Sequence, residues 1–215
     1  MYEVFLKLHY ALSAVVVYAL WRRFEASQDG RILLMVAVSI HASLTLLRVG
    51  RVVYRNTLRK SLWSKARITK CAEAFEVTLS VPRPFRLKPN QYIYLCVPGL
   101  TPGSFLEWHP FSVSWWSCND AGQATSLSLL VKPQHGFTQR LMRCAQPEQG
   151  FYVAIDGPYG QGIDTSRYGT LILLATGIGI AAQMPLIKQT LAEYKAGRTS
   201  VRKICVIWQM DRECE

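Results

Sequence analysis

Acidic residues are scarce in this chain. Its 215 residues carry 14 Asp and Glu against 25 Lys and Arg, a formal net charge of +11. The shortage is sharpest over residues 48–70, where Arg48, Arg51, Arg55, Arg59, Lys60, Lys65, Arg67 and Lys70 stand without one carboxylate among them. Such a run could meet nucleic acid or a membrane surface. No nucleic-acid-binding motif accompanies it, and an apolar segment runs directly into it. That context predicts a basic flank beside a lipid bilayer and no nucleic-acid partner. Paired cysteines are missing too. Cys71, Cys96, Cys118, Cys144, Cys205 and Cys214 make no CxxC and no metal-ligand spacing. No zinc site and no disulfide is expected, and scattered thiols fit a reducing compartment. The full GxGxxG fingerprint is also absent. No basic region precedes the first apolar run and no small-residue cleavage site follows it, so a secretory signal peptide is not expected.

Half the residues are hydrophobic, and two apolar runs open the chain. Residues 4–21 are apolar except for Lys7, His9, Tyr10, Ser13 and Tyr18, and are closed by Arg22 and Arg23. Residues 32–47 carry no formal charge; their polar members are Ser39, His41, Ser43 and Thr45. A bilayer core takes about 20 helical residues. Both runs fall slightly short, which interfacial Tyr and Trp and snorkelling Arg side chains can make up. Two transmembrane helices, about 4–21 and 32–47, are predicted; the rival is a pair of buried helices in a soluble domain. The basic run puts the side after the second helix, and with it Met1, in the cytosol, leaving residues 22–31 outside.

From about Leu62 the pattern changes to short strands: 65–70, 75–81, 91–97, 111–116, 126–131 and 151–155. Turn signals separate them at Pro82-Arg83-Pro84, Lys88-Pro89-Asn90, Pro98-Gly99 and Asn119-Asp120-Ala121-Gly122. Six short strands so spaced predict an antiparallel β-barrel. Within it stands Trp108-His109-Pro110-Phe111-Ser112-Val113-Ser114. By residue type, His109 can face a phosphate, Phe111 can cover apolar ring surface and Ser112 can bond a polar edge. The plainer alternative is a turn running into a buried strand. Gly136-Phe137-Thr138 then opens a helical run to Cys144, whose free N–H groups suit a phosphate. Asp156-Gly157-Pro158-Tyr159-Gly160 ends the barrel. Residues 171–175 read as a buried parallel strand. Thr176-Gly177-Ile178-Gly179 and a helix from Ile180 to about Lys195 follow, with Pro185 early in that helix. Strand, glycine turn and helix is the setting in which a backbone approaches a pyrophosphate. A second strand, 204–208, precedes Arg212, which either meets a 2′-phosphate or is a solvated surface arginine.

The ordered set His-Pro-Phe-Ser, Gly-Phe-Thr, Gly-Pro-Tyr-Gly and Ala-Thr-Gly-Ile-Gly-Ile, after two apolar helices, resembles the flavin reductase half of the ferric reductase / NADPH oxidase family, and most of all its fungal ferric reductases. Pro89-Asn90-Gln91-Tyr92 stands where that family reads Pro-Gly-Gln-Tyr, and Asn is the best non-glycine substitute in a left-handed turn. The resemblance implies a ferredoxin reductase-type FAD domain. His109, Pro110, Phe111 and Ser112 would contact the flavin and ribityl chain, and Gly136 and Thr138 the pyrophosphate. Gly157, Gly160, Thr176, Gly177, Gly179, Ile180 and Arg212 would serve NADPH.

The domains implied are a membrane region over 1–60, an FAD-binding barrel over 61–160 and an incomplete α/β NADPH-binding domain over 161–215. The chain reads as cut at both ends relative to that family. Its relatives ligate haem with two histidines about fourteen residues apart on one helix, roughly 21 Å. His9 matches the first and Arg22 or Arg23 falls at the second, so haem is not expected in this chain alone. A haem-bearing membrane subunit would have to complete the site. The function implied is a multi-pass, plasma-membrane, FAD- and NADPH-dependent oxidoreductase of ferric-chelate reductase type. Its flavin domain would be cytosolic and its acceptor chelated ferric iron. An inactive truncated paralogue or accessory membrane protein, and a superoxide-forming oxidase, are the alternatives.

Overall fold

The computed structural model describes residues 2–57, 63–71, 74–101, 103–144 and 150–210. It divides into two compact units, residues 1–53 and 54–215.

The first unit is a helical hairpin. Helix α1 (Tyr2–Arg23) passes through a single 3-10 turn at Phe24–Ala26 into α2 (Gln28–Asn56). Gly30 permits the tight turn, since a Cβ there would lie 2.5 Å from the Phe24 ring. Arg31 stacks 5.3 Å over Trp21 and pairs with Glu25 at 3.9 Å. The helices share a groove of about 590 Å³ lined by Ser13, Val17 and Trp21 from α1 and by Leu34, Val38 and His41 from α2. Both expected helices form, but among the described residues only α2 is long and apolar enough to cross a membrane. The described part of α1 is interrupted by Lys7, His9 and Tyr10 and ends on Arg22 and Arg23. Helix α2 also outruns its expected end at residue 47, so Arg48, Arg51 and Arg55 lie on helix rather than beyond it.

The second unit begins with the last turn of α2. Strands β1 (Ser64–Lys70), β2 (Phe75–Phe85), β3 (Tyr92–Cys96), β4 (His109–Ser112), β5 (Trp115–Cys118), β6 (Ala124–Val131) and β7 (Phe151–Tyr159) make one antiparallel sheet, ordered β4-β3-β7-β1-β2-β6-β5. Alternation fills its core: Phe75, Val77, Leu79, Ile93, Leu95, Leu127, Leu129 and Val153 are fully buried.

The expected closed barrel is not what forms. The single strand expected over 111–116 breaks at Val113-Ser114, and its halves become the two opposite edges of the sheet. The seam is crossed by covalent chain instead of a ladder. Ser114 fixes the crossing, with its N–H donating to the Ser128 carbonyl at 2.9 Å and its hydroxyl to the same oxygen at 2.7 Å. Pro82-Arg83-Pro84 is likewise no turn. It lies inside β2, where pairing with β6 slips between Ser80 and Phe85. Prolines are tolerated at such an irregularity because no ladder N–H is needed there.

Helix α3 (Phe137–Cys144) joins β6 to β7. Beyond the sheet, β8 (Thr170–Thr176) and β9 (Lys203–Gln209) pair in parallel, linked by a 3-10 turn at Gly177–Gly179 and by α4 (Ile180–Lys195). Leu173, Pro185, Leu186 and Thr190 are buried in this part. Ile172 and Leu174, on alternate positions of β8, remain exposed.

Candidate functional site

The His109–Ser112 segment is an edge strand, so its four side chains alternate. His109 and Phe111 share one face. They lie opposite Leu95 and Ile93 in register, and both contact Phe137 at the start of α3. The His109 and Phe137 rings stack at 3.9 Å with a 22° interplanar angle, and the Phe111 ring is 6.2 Å from that of Phe137. Pro110 and Ser112 occupy the other face and are exposed. The four residues therefore do not form one row toward a ligand: two hold a helix, and two face outward.

Opposite Pro110 and Ser112 in register stand Tyr94 and Tyr92. Their rings pack with Tyr159 into a trio whose centroids are 5.6–5.9 Å apart. The Tyr159 hydroxyl donates to Asp156 Oδ2 at 2.8 Å, and Asp156 is buried. Gly157, between them, has φ +145, and a Cβ there would lie 3.1 Å from Ile93 Cγ2 and 3.2 Å from Ile93 Cα. Gly160 (φ +90) closes the segment, its carbonyl accepting from Gln91 Nε2 at 3.0 Å. Asn90 takes the left-handed turn expected of it, with φ +64. The sheet thus brings Pro110 and Ser112 beside the Gly157–Gly160 segment through β3.

Gly136 enters α3 with φ +94. The Thr138 hydroxyl, expected to reach a phosphate, is committed to its own loop. It accepts the Gln134 N–H at 2.8 Å and donates to the Gln134 carbonyl at 3.1 Å. Arg140, one turn on, pairs with Glu107 at 3.1 Å and so ties α3 to the segment entering β4. Beside the helix start is a cavity of about 440 Å³ lined by Pro133, Gln134, His135 and Gln139. Sequence reading missed His135; its place one residue before Gly136 was the available signal. A second, apolar cavity of about 410 Å³ is lined by Val97, Leu100, Leu141, Phe151 and neighbours, and none of the expected site residues lines it.

Thr176, Gly177, Gly179 and Ile180 fall at the β8–α4 junction, as expected. Gly177 has φ +47, and its carbonyl accepts the Trp208 indole N–H at 2.9 Å, which locks the turn to β9. Arg212 lies outside the described residues. His9 is exposed on α1, its ring stacked 6.0 Å from Phe5, whereas His41 lines the groove between the helices.

Two further residues organise the unit, and sequence reading passed over both. Lys188, on α4, stacks on Trp115 and Trp116 of β5 and donates to the Trp116 carbonyl. Burial pushes its pKa below the usual lysine range, partly offset by Cys118. Asn56 is completely buried. Its Nδ2 donates to the Ile155 carbonyl, and its Oδ1 accepts from the Ile155 N–H and the Ser64 hydroxyl, each at 2.8 Å.

Comparison with known proteins agrees with this geometry. Residues 59–162 match the family of FAD-binding domains. The ferric/cupric reductase transmembrane component 2 of Saccharomyces cerevisiae is 27% identical over 215 residues, spanning 98% of this chain and 29% of that protein. NADPH oxidase 3 of Rattus norvegicus is 29% identical over 119 residues, covering 49% of this chain and 19% of the oxidase. The chain thus spans less than a third of the length of these relatives. Among solved structures, the ferredoxin reductase of carbazole 1,9a-dioxygenase superposes with a TM-score of 0.52 at 17% identity, covering 68% of this chain and 42% of that one. Phthalate dioxygenase reductase gives 0.51 at 18%, covering 69% and 44%. The fold is that of a ferredoxin reductase-type flavin domain.

Proposed function

We propose that this chain, similar to fungal ferric reductases and to NADPH oxidases and carrying a match to an FAD-binding domain, is a member of the ferric reductase / NADPH oxidase family and a membrane-bound FAD- and NADPH-dependent oxidoreductase of ferric-chelate reductase type. The observation that carries the reading is the placement of the α3 start against β4 through His109 and Phe137, within the residues that match an FAD-binding domain. When bound, NADPH supplies a hydride and FAD splits it into single electrons for an acceptor.

The residues present fit those groups. The first N–H groups of α3 have no intrahelical acceptor and, with Gly136, would hold the FAD pyrophosphate. Thr138 would act indirectly, by closing the Gln134 loop that shapes the helix entrance. His109 and Phe111 would position α3 rather than touch the reacting ring. Ser112 and Pro110, on the open face with the tyrosine trio, would border the flavin edge. Gly177, Gly179, Thr176 and Ile180 would take the NADPH phosphates at the start of α4, where the glycines leave room for close approach. Gly157 and Gly160 border the same open face, and Arg212 is proposed for the 2′-phosphate.

The domain plan follows the same reading: a multi-pass membrane region over 1–60, a cytosolic FAD unit over 61–160 and an NADPH unit over 161–215, in the plasma membrane. The acceptor is chelated ferric iron. Haem, if used, would come with a second membrane subunit, to which His9 could add one ligand.

Purification in detergent tests the proposal: the protein should carry flavin absorbance and reduce an artificial dye with NADPH. A colourless, inert protein would leave the accessory, non-catalytic role. A superoxide-forming oxidase is the second reading, favoured by the similarity to NADPH oxidase 3. Oxygen consumption without iron reduction would select it.

A further inference from the structure

Two arginines stand over aromatic rings where α2 ends. Arg83, on β2, lies 3.9 Å over the Tyr54 ring, and its Nε donates to the Thr57 carbonyl at 3.0 Å. Arg55 lies 4.4 Å over the Phe85 ring and donates to the Gly157 carbonyl. Tyr54, Arg55, Pro82, Arg83 and Pro84 line a cavity of about 380 Å³ that contains no acidic side chain. A guanidinium carries five donors in a planar fork. Arg83 spends its Nε on Thr57, and its two Nη nitrogens have no protein acceptor among the described residues. Stacking on Tyr54 fixes the plane of that fork, so little freedom remains to be lost when an anion binds.

The position along the helix says which anion. Helix α2 has 29 residues, a rise of about 43 Å. A bilayer with its headgroup layers is about 40–45 Å thick. If the helix spans it, the final turn with Tyr54 and Arg55 stands at headgroup depth, where tyrosine is favoured. We infer that this cavity binds the phosphate of an anionic lipid headgroup, gripped by the Arg83 fork with Arg55 beside it. The inference rests on the membrane placement proposed above and not on the flavin chemistry.

Native mass spectrometry of the full chain, released from micelles doped with phosphatidylserine or phosphatidylcholine, tests it. The expected result is retention of phosphatidylserine about tenfold above phosphatidylcholine, whose choline cation neutralises the headgroup and would be repelled by the two guanidiniums. Arg83→Gln should abolish the preference. Lys195→Gln, an equal loss of charge at the exposed end of α4, should leave it intact. Arg83→Lys keeps the charge and loses the fork, so it should retain lipid several-fold less well; it also serves if the glutamine variant fails to fold. Equal retention by the wild type and the Arg83 variants overturns the inference. So does displacement of the lipid by inorganic phosphate, which would mark a free-anion site. Loss of flavin absorbance together with lipid in Arg83→Gln would assign the cavity to the cofactor and overturn it as well. A colourless wild type that still selects phosphatidylserine would sink the flavin reading and leave this one standing.

Discussion

Lys188 donates its ammonium to the Trp116 carbonyl while lying 4.6 Å over the Trp116 ring and 4.3 Å over that of Trp115. One side chain thereby links the β8–α4–β9 part to an edge strand of the flavin sheet. A charge-assisted hydrogen bond and a partly desolvated cation–π contact together amount to about 1–3 kcal/mol. Lys188→Met should lower stability by that amount and speed proteolysis between β7 and β8, read by limited digestion. The pH dependence has a defined sign. Burial lowers the folded-state pKa from 10.5, so between the lowered value and 10.5 the unfolded chain binds more protons. This group's contribution to stability therefore rises with pH across that window. Subtracting the Lys188→Met titration isolates it, and a fall in the difference would contradict the assignment.

Cys96 works in the opposite direction. Burial, with Glu107 adding repulsion, pushes its thiol from 9.0 up to about 11. The folded state keeps a proton that the unfolded thiol gives up, so this stabilisation is present below pH 9 and is lost as pH climbs toward 11. Cys96→Ala should flatten that decline in denaturation midpoints. At pH 8 a thiol reagent should label exposed Cys71 and Cys118 well before Cys96.

Asn56 takes both backbone hydrogen bonds of Ile155, as a neighbouring strand would. Asn56→Ala would strand a buried N–H and a buried carbonyl at once, and should cost about 2–4 kcal/mol in chemical denaturation. Asn56→Asp loses the donor and sets a buried carboxylate oxygen against the Ile155 carbonyl, so at neutral pH it should cost at least as much as Ala. Equal stability of all three proteins would show that water or another side chain replaces the amide.

Much of the scaffold was legible because its markers are local. The turn at Asn119–Gly122, the start of α3 at Gly136 and the β8–α4 junction each rest on a glycine or on a run whose period is unambiguous. Asn90 reads as a left-handed residue from its type and from standing where the family has glycine, and it is one. The break at Val113-Ser114 was hidden because hydrophobic alternation continues through it; only the sheet shows that one periodic stretch serves two edges. Pro82 and Pro84 read as a turn because proline seldom enters a strand, and the slip in register that admits them is a property of the partner, β6. Lys188 and Asn56 were invisible for a related reason: each is defined by residues more than 70 positions away. The face on which each residue of the His109–Ser112 segment lies follows from its pairing with β3 and from α3.

Two backbone substitutions probe the open face. Gly157→Ala places a methyl 3.1–3.3 Å from Ile93 and the Tyr92 carbonyl, at a positive φ. It should destabilise the fold by about 1–3 kcal/mol and reduce flavin retained on purification. Asn90→Gly should be neutral or slightly stabilising, whereas Asn90→Val should cost about 1–2 kcal/mol, because only small or locally hydrogen-bonding residues enter that region cheaply. Thermal melts of the three proteins would rank them.

Because the amide that completes β7 sits in the final turn of α2, the border between the two compact units does not coincide with the end of a helix. A flavin piece cut after residue 57 would leave Ile155 without its partner. A cut just before Tyr54 would keep it, at the expense of carrying one helical turn that began life in the hairpin.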